Sequence, residues 1–112
     1  SILAMMCDAV VWLSEDGGTV VRADLRFAML TRKSVTGEHL TSSLPEEEHE
    51  RVRDGLRRAR AAPVLLPTTI VNDSGAKIPV EIFVVGNRNA SKDDRADEQA
   101  PAFLLGIRVT SK

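Results

Sequence analysis

Cysteine occurs once in the 112 residues, tyrosine not at all, tryptophan once and phenylalanine three times. The lone Cys7 excludes an internal disulfide and any structural metal site built from several thiolates, and it suits a reducing, cytoplasmic setting. So few aromatic rings leave little to grip a flat cofactor by stacking. Charge of one sign is also missing. Lys and Arg total 15 against 16 Asp and Glu, a net charge of -1. A chain built to hold nucleic acid carries a basic surplus, and none is present. The longest apolar run, Ile2 to Leu13, is broken by Asp8 and falls short of the ~20 residues that span a bilayer. No basic segment precedes it, as a secretory signal would require. Neither an internal repeat nor a heptad occurs. The chain starts at Ser1 rather than Met, which reads as a piece of a longer protein whose output activity lies elsewhere.

What is present suits one folded domain over residues 1–112, with 43% hydrophobic and 28% charged residues. Residues 2–7, rich in Met and nearly free of polarity, read as a short N-terminal helix. Asp8 to Leu13 is β-rich, Glu15-Asp16-Gly17-Gly18 is a turn, and Thr19 to Ala23 returns as the second strand of a hairpin. From Asp24, a suitable N-cap, Leu25, Met29 and Leu30 recur at helical spacing. Leu40 and Leu44 read as buried anchors in short helical turns. A longer helix is expected from about Pro45 to Ala61, with Ser43 and Glu46 at capping-box spacing. Its acids lead and its arginines trail, matching the helix dipole. Val52, Leu56 and Ala59 give it one narrow apolar stripe, which must lie on another element.

The rest is β. Val64 to Asn72 contains Pro67, which cannot donate to a ladder, so this strand belongs at a sheet edge. After the Asn72-Asp73-Ser74-Gly75 turn, Ile78, Val80, Ile82 and Val84 alternate with period two. Residues 86–101 are polar, lack apolar periodicity and read as a mobile loop. Phe103, Leu105, Ile107 and Val109 form the last strand. Two strands, then helices, then three strands predict an α+β fold with helices on one face of an antiparallel sheet.

These segments, taken in order, resemble a PAS domain over 8–110. Asp8-Ala9-Val10 and Glu15-Asp16-Gly17-Gly18 resemble the family's first hairpin. Ala23-Asp24 stands where the family commonly has Ala-Asn, and Leu30-Thr31-Arg32-Lys33-Ser34 where it has Leu-Thr-Gly-Tyr-Ser. Asn72 to Glu81 resembles the hairpin between its third and fourth strands. Arg108-Val109-Thr110 occupies the place of the terminal Asp-Ile-Thr, with Arg108 in place of the Asp. The resemblance implies a five-stranded antiparallel sheet in the order 2-1-5-4-3 with helices on one face. That order puts the third strand at an edge, where Pro67 independently places it. It also implies a sensory and interaction module that binds a small ligand or dimerises and relays the change to an attached effector.

The cofactors of such domains find little purchase here. Flavin-adduct members carry their cysteine in an Asn-Cys-Arg-Phe-Leu-Gln run, whereas Cys7 precedes the first strand and reads as a buried apolar residue. The position matching the haem ligand falls near Arg53, which cannot ligate iron, and His49 stands about one turn earlier between two glutamates. His39 reads as a surface residue. No cluster has metal-ligand spacing, so cofactors and metals are expected to be none. From Glu46 to Arg60 five acids balance five arginines, which reads as a solvated helix face. No nucleophile, base and orienting group occur together, so no enzymatic activity is expected.

A candidate pocket wall is apolar. Met29 and Leu30 come from the first helix, and Val52 and Leu56 from the long helix. Ile82, Phe103, Leu105 and Ile107 come from the sheet. Such a wall suits an apolar ligand, or no ligand. A candidate homodimer interface combines Ile2, Leu3, Met5, Met6 and Val10 with Phe83, Val85 and Leu104 on the far sheet face. Thr110 is the candidate relay residue, and contact with nucleic acid or membrane is not expected. Deleting most of Ser91 to Gln99 is predicted to leave the melting temperature within about 2 °C of the parent, since the segment offers no apolar anchor. Calorimetry on the deletion variant checks this.

Overall fold

The computed structural model describes residues 7–15, 18–86 and 102–110. Residues 2–6 of the expected N-terminal helix and all but Gly86 of the 86–101 segment lie outside them. Five strands form one antiparallel sheet: β1 (Ala9–Leu13), β2 (Val20–Ala23), β3 (Val64–Val71), β4 (Lys77–Gly86) and β5 (Phe103–Val109). Their order is β2-β1-β5-β4-β3. Helices α1 (Leu25–Thr31) and α2 (His49–Ala59) and the 3-10 turns Leu40–Ser43 and Glu46–Glu48 connect β2 to β3.

Period-two alternation divides each strand between two faces. Val11, Leu13, Leu66, Ile70, Val80, Ile82, Val84, Leu105 and Ile107 all enter one buried core beneath the helices. Leu40 and Leu44 anchor the connecting turns in the same core, as the sequence suggests. β3 is an edge strand. The carbonyl of Pro67 accepts from the Arg51 guanidinium, so the proline's backbone polar side points away from β4. The missing N–H costs the ladder nothing there, and it interrupts the row of donors an open edge would present.

Helix α1 is rotated from its expected pose. Leu25 and Met29 are 75% and 69% exposed, while Phe27 and Thr31, four residues apart, are fully buried. Asp24 fixes this orientation: its carboxylate accepts from Val10 N at 3.1 Å and caps Phe27 N at 3.0 Å, tying the helix start to β1. Thr31 tolerates burial because its hydroxyl donates to the Phe27 and Lys33 carbonyls, both at 3.0 Å. The helix then stops at Arg32, whose φ of 64° is left-handed.

The start of the long helix also differs from expectation. Residues Glu46–Glu48 form a 3-10 turn, and neither Pro45 nor Glu48 makes a side-chain cap. The capping box does not form because Pro45 is extended, with ψ of 147°. Glu48 is instead drawn sideways. It accepts from Arg51 Nε at 3.2 Å and from Thr68 Oγ1 of β3 at 2.6 Å. These donors, Arg51 first and Thr68 second, lower its pKa from 4.5 to about 2.

Two glycines set how closely α2 approaches the sheet. A Cβ at Gly55 would lie 2.4 Å from Leu66 Cδ1, and a Cβ at Gly86 would lie 2.6 Å from the Ala59 carbonyl oxygen. The first clash meets the end of a flexible side chain, the second a helix backbone. Gly86→Ala is therefore predicted to destabilise by about 2–3 kcal/mol, at the upper end of overpacking costs, and Gly55→Ala by about 1 kcal/mol. Urea denaturation of both variants tests the ranking.

The Glu48 clamp predicts an acid-labile increment of stability. A depressed folded-state pKa stabilises the fold fully above the ordinary value of 4.5 and ceases to do so as pH falls toward about 2. Glu48→Gln should cost about 1–2 kcal/mol at pH 7, and the gap from wild type should shrink steadily between those two values. Denaturation curves across that range check the sign.

Candidate functional site

Two surfaces stand out, one on each side of the sheet. The first is a cleft of about 260 Å³ between α2, the Leu40–Ser43 turn and the start of β5. Leu56 and Phe103 supply its apolar floor. Arg53, Arg57 and Arg60 overlook it, with His39 and Thr41 on the opposite wall. The arginines fall at i, i+4 and i+7, which places them along one flank of α2. Arg60 lies over the Phe103 ring, 5.3 Å from its centroid.

Each guanidinium has an acidic neighbour that does not line the cleft. Arg53 pairs with Glu50 at 3.3 Å, Arg57 with Asp54 at 3.6 Å and Arg60 with Glu15 at 3.5 Å. All these pairs are solvent-exposed, so each holds its guanidinium by less than about 1 kcal/mol.

Of the eight residues expected to wall a pocket, only Leu56 and Phe103 line this cleft. Val52, Ile82, Leu105 and Ile107 are packed into the core with 0–1% exposure, and Leu30 packs against it. Met29 faces solvent and is not a wall residue. The close seating of α2 explains the difference: side chains fill the layer that an interior ligand would occupy. Along the sequence Arg53, Arg57 and Arg60 read only as part of a solvated helix face. Their common spacing beside the inward stripe is the signal that could have found them.

The cofactor candidates are placed away from this cleft. Cys7 is half-buried at the entry to β1, so it does not fit a flavin adduct formed from a helix. His49 begins α2, and its Nε2 is hydrogen-bonded to the Leu44 carbonyl at 3.2 Å. Among the described residues no group of three or more His, Cys, Asp and Glu side chains is placed to hold a metal ion. Among the same residues no helix is long and apolar enough to cross a membrane.

The second surface is the sheet face opposite the helices. Cross-strand register aligns Trp12 with Leu104 and Leu104 with Val85, and pairs Phe83 with Leu65. Leu65 is 57% and Phe83 37% exposed, while Trp12, Val85 and Leu104 are half-buried. Arg22 stacks on Trp12 with its guanidinium 4.2 Å from the ring centroid. The opposite end of this face is polar, where Arg108 pairs with Glu81. Val10, expected on the interface, is buried. The remaining N-terminal candidates Ile2, Leu3, Met5 and Met6 lie outside the described residues.

No family model and no curated protein matches the sequence. Solved structures do match in fold. The PAS domain of a protein from Colwellia psychrerythraea is 15% identical, with a TM-score of 0.74 and 98% of each chain covered. The light-state LOV structure of the blue-light photoreceptor Aureochrome1 is also 15% identical, with a TM-score of 0.71 over 99% of this chain and 88% of that one. A PAS domain from a two-component sensor histidine kinase is 14% identical, with a TM-score of 0.68 over 91% and 84%. The chain has the PAS fold, as its motifs suggested.

Proposed function

We propose that this domain is a sensory or regulatory module of a larger signalling protein, pairing with a second copy and relaying its state to an attached effector. The observation that carries this reading is the apolar end of the outer sheet face, where Leu65, Phe83, Val85 and Leu104 lie side by side and partly exposed. A contiguous apolar patch on a sheet face calls for a cover. A two-fold pairing lets one patch serve both subunits. Ile2, Leu3, Met5 and Met6, outside the described residues, are further candidates for the pairing.

The sensory role is supported by fold likeness to domains of a photoreceptor and a sensor histidine kinase. The relay is supported by the way the ends of the sheet are tied. Asp8, just before β1, accepts from Val109 N at 2.7 Å, and Thr110 N donates to the Pro79 carbonyl at 3.0 Å. Displacement of the segment entering β1 therefore pulls on the segment leaving β5. Thr110 is the exposed residue through which that motion passes onward. The reading is of a binding module in the cytoplasm and not of an enzyme.

The arginine-lined cleft supports a second reading, in which the module senses a small ligand. Its mouth is open and its floor is apolar, the usual make-up of a small-molecule site.

Sedimentation velocity at micromolar concentration tests the pairing. The expected result is a dimer, with Leu65→Glu and Phe83→Glu each weakening it at least about tenfold, since burial of such a side chain contributes ~1.5–3 kcal/mol. A wild-type monomer at these concentrations, or dimers indifferent to both substitutions, would overturn it.

A further inference from the structure

We infer that the cleft beside α2 takes a small organic anion, a carboxylate or phosphate ester on a compact apolar body, held by Arg53 and Arg57 with its body on Leu56 and Phe103. The inference rests on the second reading above, that the cleft is a ligand site, and it names the class of ligand.

Three observations converge on it. The first is charge. Among the described residues the cleft is lined by three guanidiniums and no carboxylate, although the stretch from Glu46 to Arg60 as a whole carries balanced charge. The acids that balance them, Glu50, Asp54 and Glu15, sit outside the lining. A guanidinium presents a planar fork of donors that matches the two oxygens of a carboxylate or phosphate. Its present partners are exposed and weakly held, so an incoming anion can recruit it at little cost.

The second observation is shape. At about 260 Å³ the space is below the range usual for drug-sized ligands, and it suits a body of about ten heavy atoms. The third is the floor. Leu56 and Phe103 are 6% and 2% exposed, so they form a firm apolar base. Arg60 above Phe103 closes one side with a cation over a ring, leaving Arg53 and Arg57 at the mouth. A bare inorganic ion would make no use of the apolar lining, and a neutral ligand would leave the guanidiniums unused. The chemistry that satisfies both is a carboxylate or phosphate group attached to an apolar ring or short chain.

Isothermal titration with benzoate, phenyl phosphate, benzyl alcohol and inorganic phosphate separates the alternatives, with amide chemical shifts locating the binding. Benzoate or phenyl phosphate should bind with a dissociation constant of about 1 mM or tighter. Benzyl alcohol and inorganic phosphate should bind at least tenfold more weakly. The Arg53→Ala/Arg57→Ala pair should weaken the organic anion about tenfold or more, whereas Arg58→Ala, on a residue outside the cleft lining, should leave it within about twofold. Raising salt from about 0.05 to 0.5 M should weaken binding as well. The relative strength of benzoate and phenyl phosphate identifies the anionic group. Equal binding of benzyl alcohol at the cleft, or an affinity untouched by the paired substitution, overturns the anion assignment while the cleft survives as a ligand site. Shifts that appear away from α2 and β5, or no binding by any of the four, overturn both. Because all three arginines are exposed, the variants should keep the wild-type melting temperature, and that measurement guards against misfolding.

Discussion

Helix α2 lies against the sheet at two places where a side chain has been dispensed with. Gly55 admits the Leu66 methyls and Gly86 admits the Ala59 carbonyl, so helix and strands approach as closely as backbone geometry allows. Most of what distinguishes this domain follows from that contact. The space between helix and sheet is filled by Val52, Leu66, Ile82, Val84 and Ile107, and it holds a core instead of a chamber. A ligand would then be displaced to the flank of the helix, where the walls are the long polar side chains that a solvent-facing helix carries. The chemistry of the candidate site is cationic for this reason, and the apolar wall expected from the sequence serves stability.

The Glu48 clamp acts on the same contact from the other end. Thr68 and Arg51 converge on one carboxylate, and Arg51 also reaches the Pro67 carbonyl. One cluster thus secures the start of α2, satisfies a backbone acceptor on the edge strand and occupies part of the edge that another chain could otherwise extend. The glutamate gains more as a cross-link than it would as a helix cap. One of its charge-assisted partners, Arg51, is local, and the other, Thr68, ties the helix start to β3.

The strands were legible because period two admits few misreadings over seven or more residues, as in β4 and β5, and because Pro67 marks an edge on steric grounds alone. The helix α1 was legible in position but not in orientation. Its sequence offers Leu25, Met29 and Leu30 as an apolar stripe, yet the buried pair is Phe27 and Thr31. Hydrophobicity cannot identify a buried threonine, whose hydroxyl is satisfied by carbonyls of its own turn, and it cannot register that Asp24 is bonded to β1. The cleft was hidden for a related reason. Counting charge from Glu46 to Arg60 gives a balanced total, and only the three-dimensional sorting of acids away from arginines reveals the cationic flank. The apolar outer face was readable from Phe83, Val85 and Leu104, whereas Leu65 entered it through a register that sequence does not specify.

The two surfaces lie on opposite sides of the sheet, but strand β5 joins them within one peptide unit. Phe103 forms the cleft floor beneath Arg60, and its neighbour Leu104 projects the other way, between Trp12 and Val85. Alternation obliges the two side chains to move together whenever this end of the strand shifts or twists. A ligand can influence pairing only if it favours one placement of that strand over another, because a ligand with equal affinity for both shifts nothing. The contact that could create such a preference is the Arg60 guanidinium over Phe103, since an anion entering the cleft competes for that charge and releases or tightens its hold on the ring. A coupling of this kind would need no long chain of intermediaries through the core. It would require that one strand end have two positions, and that the cleft and the outer face each prefer a different one.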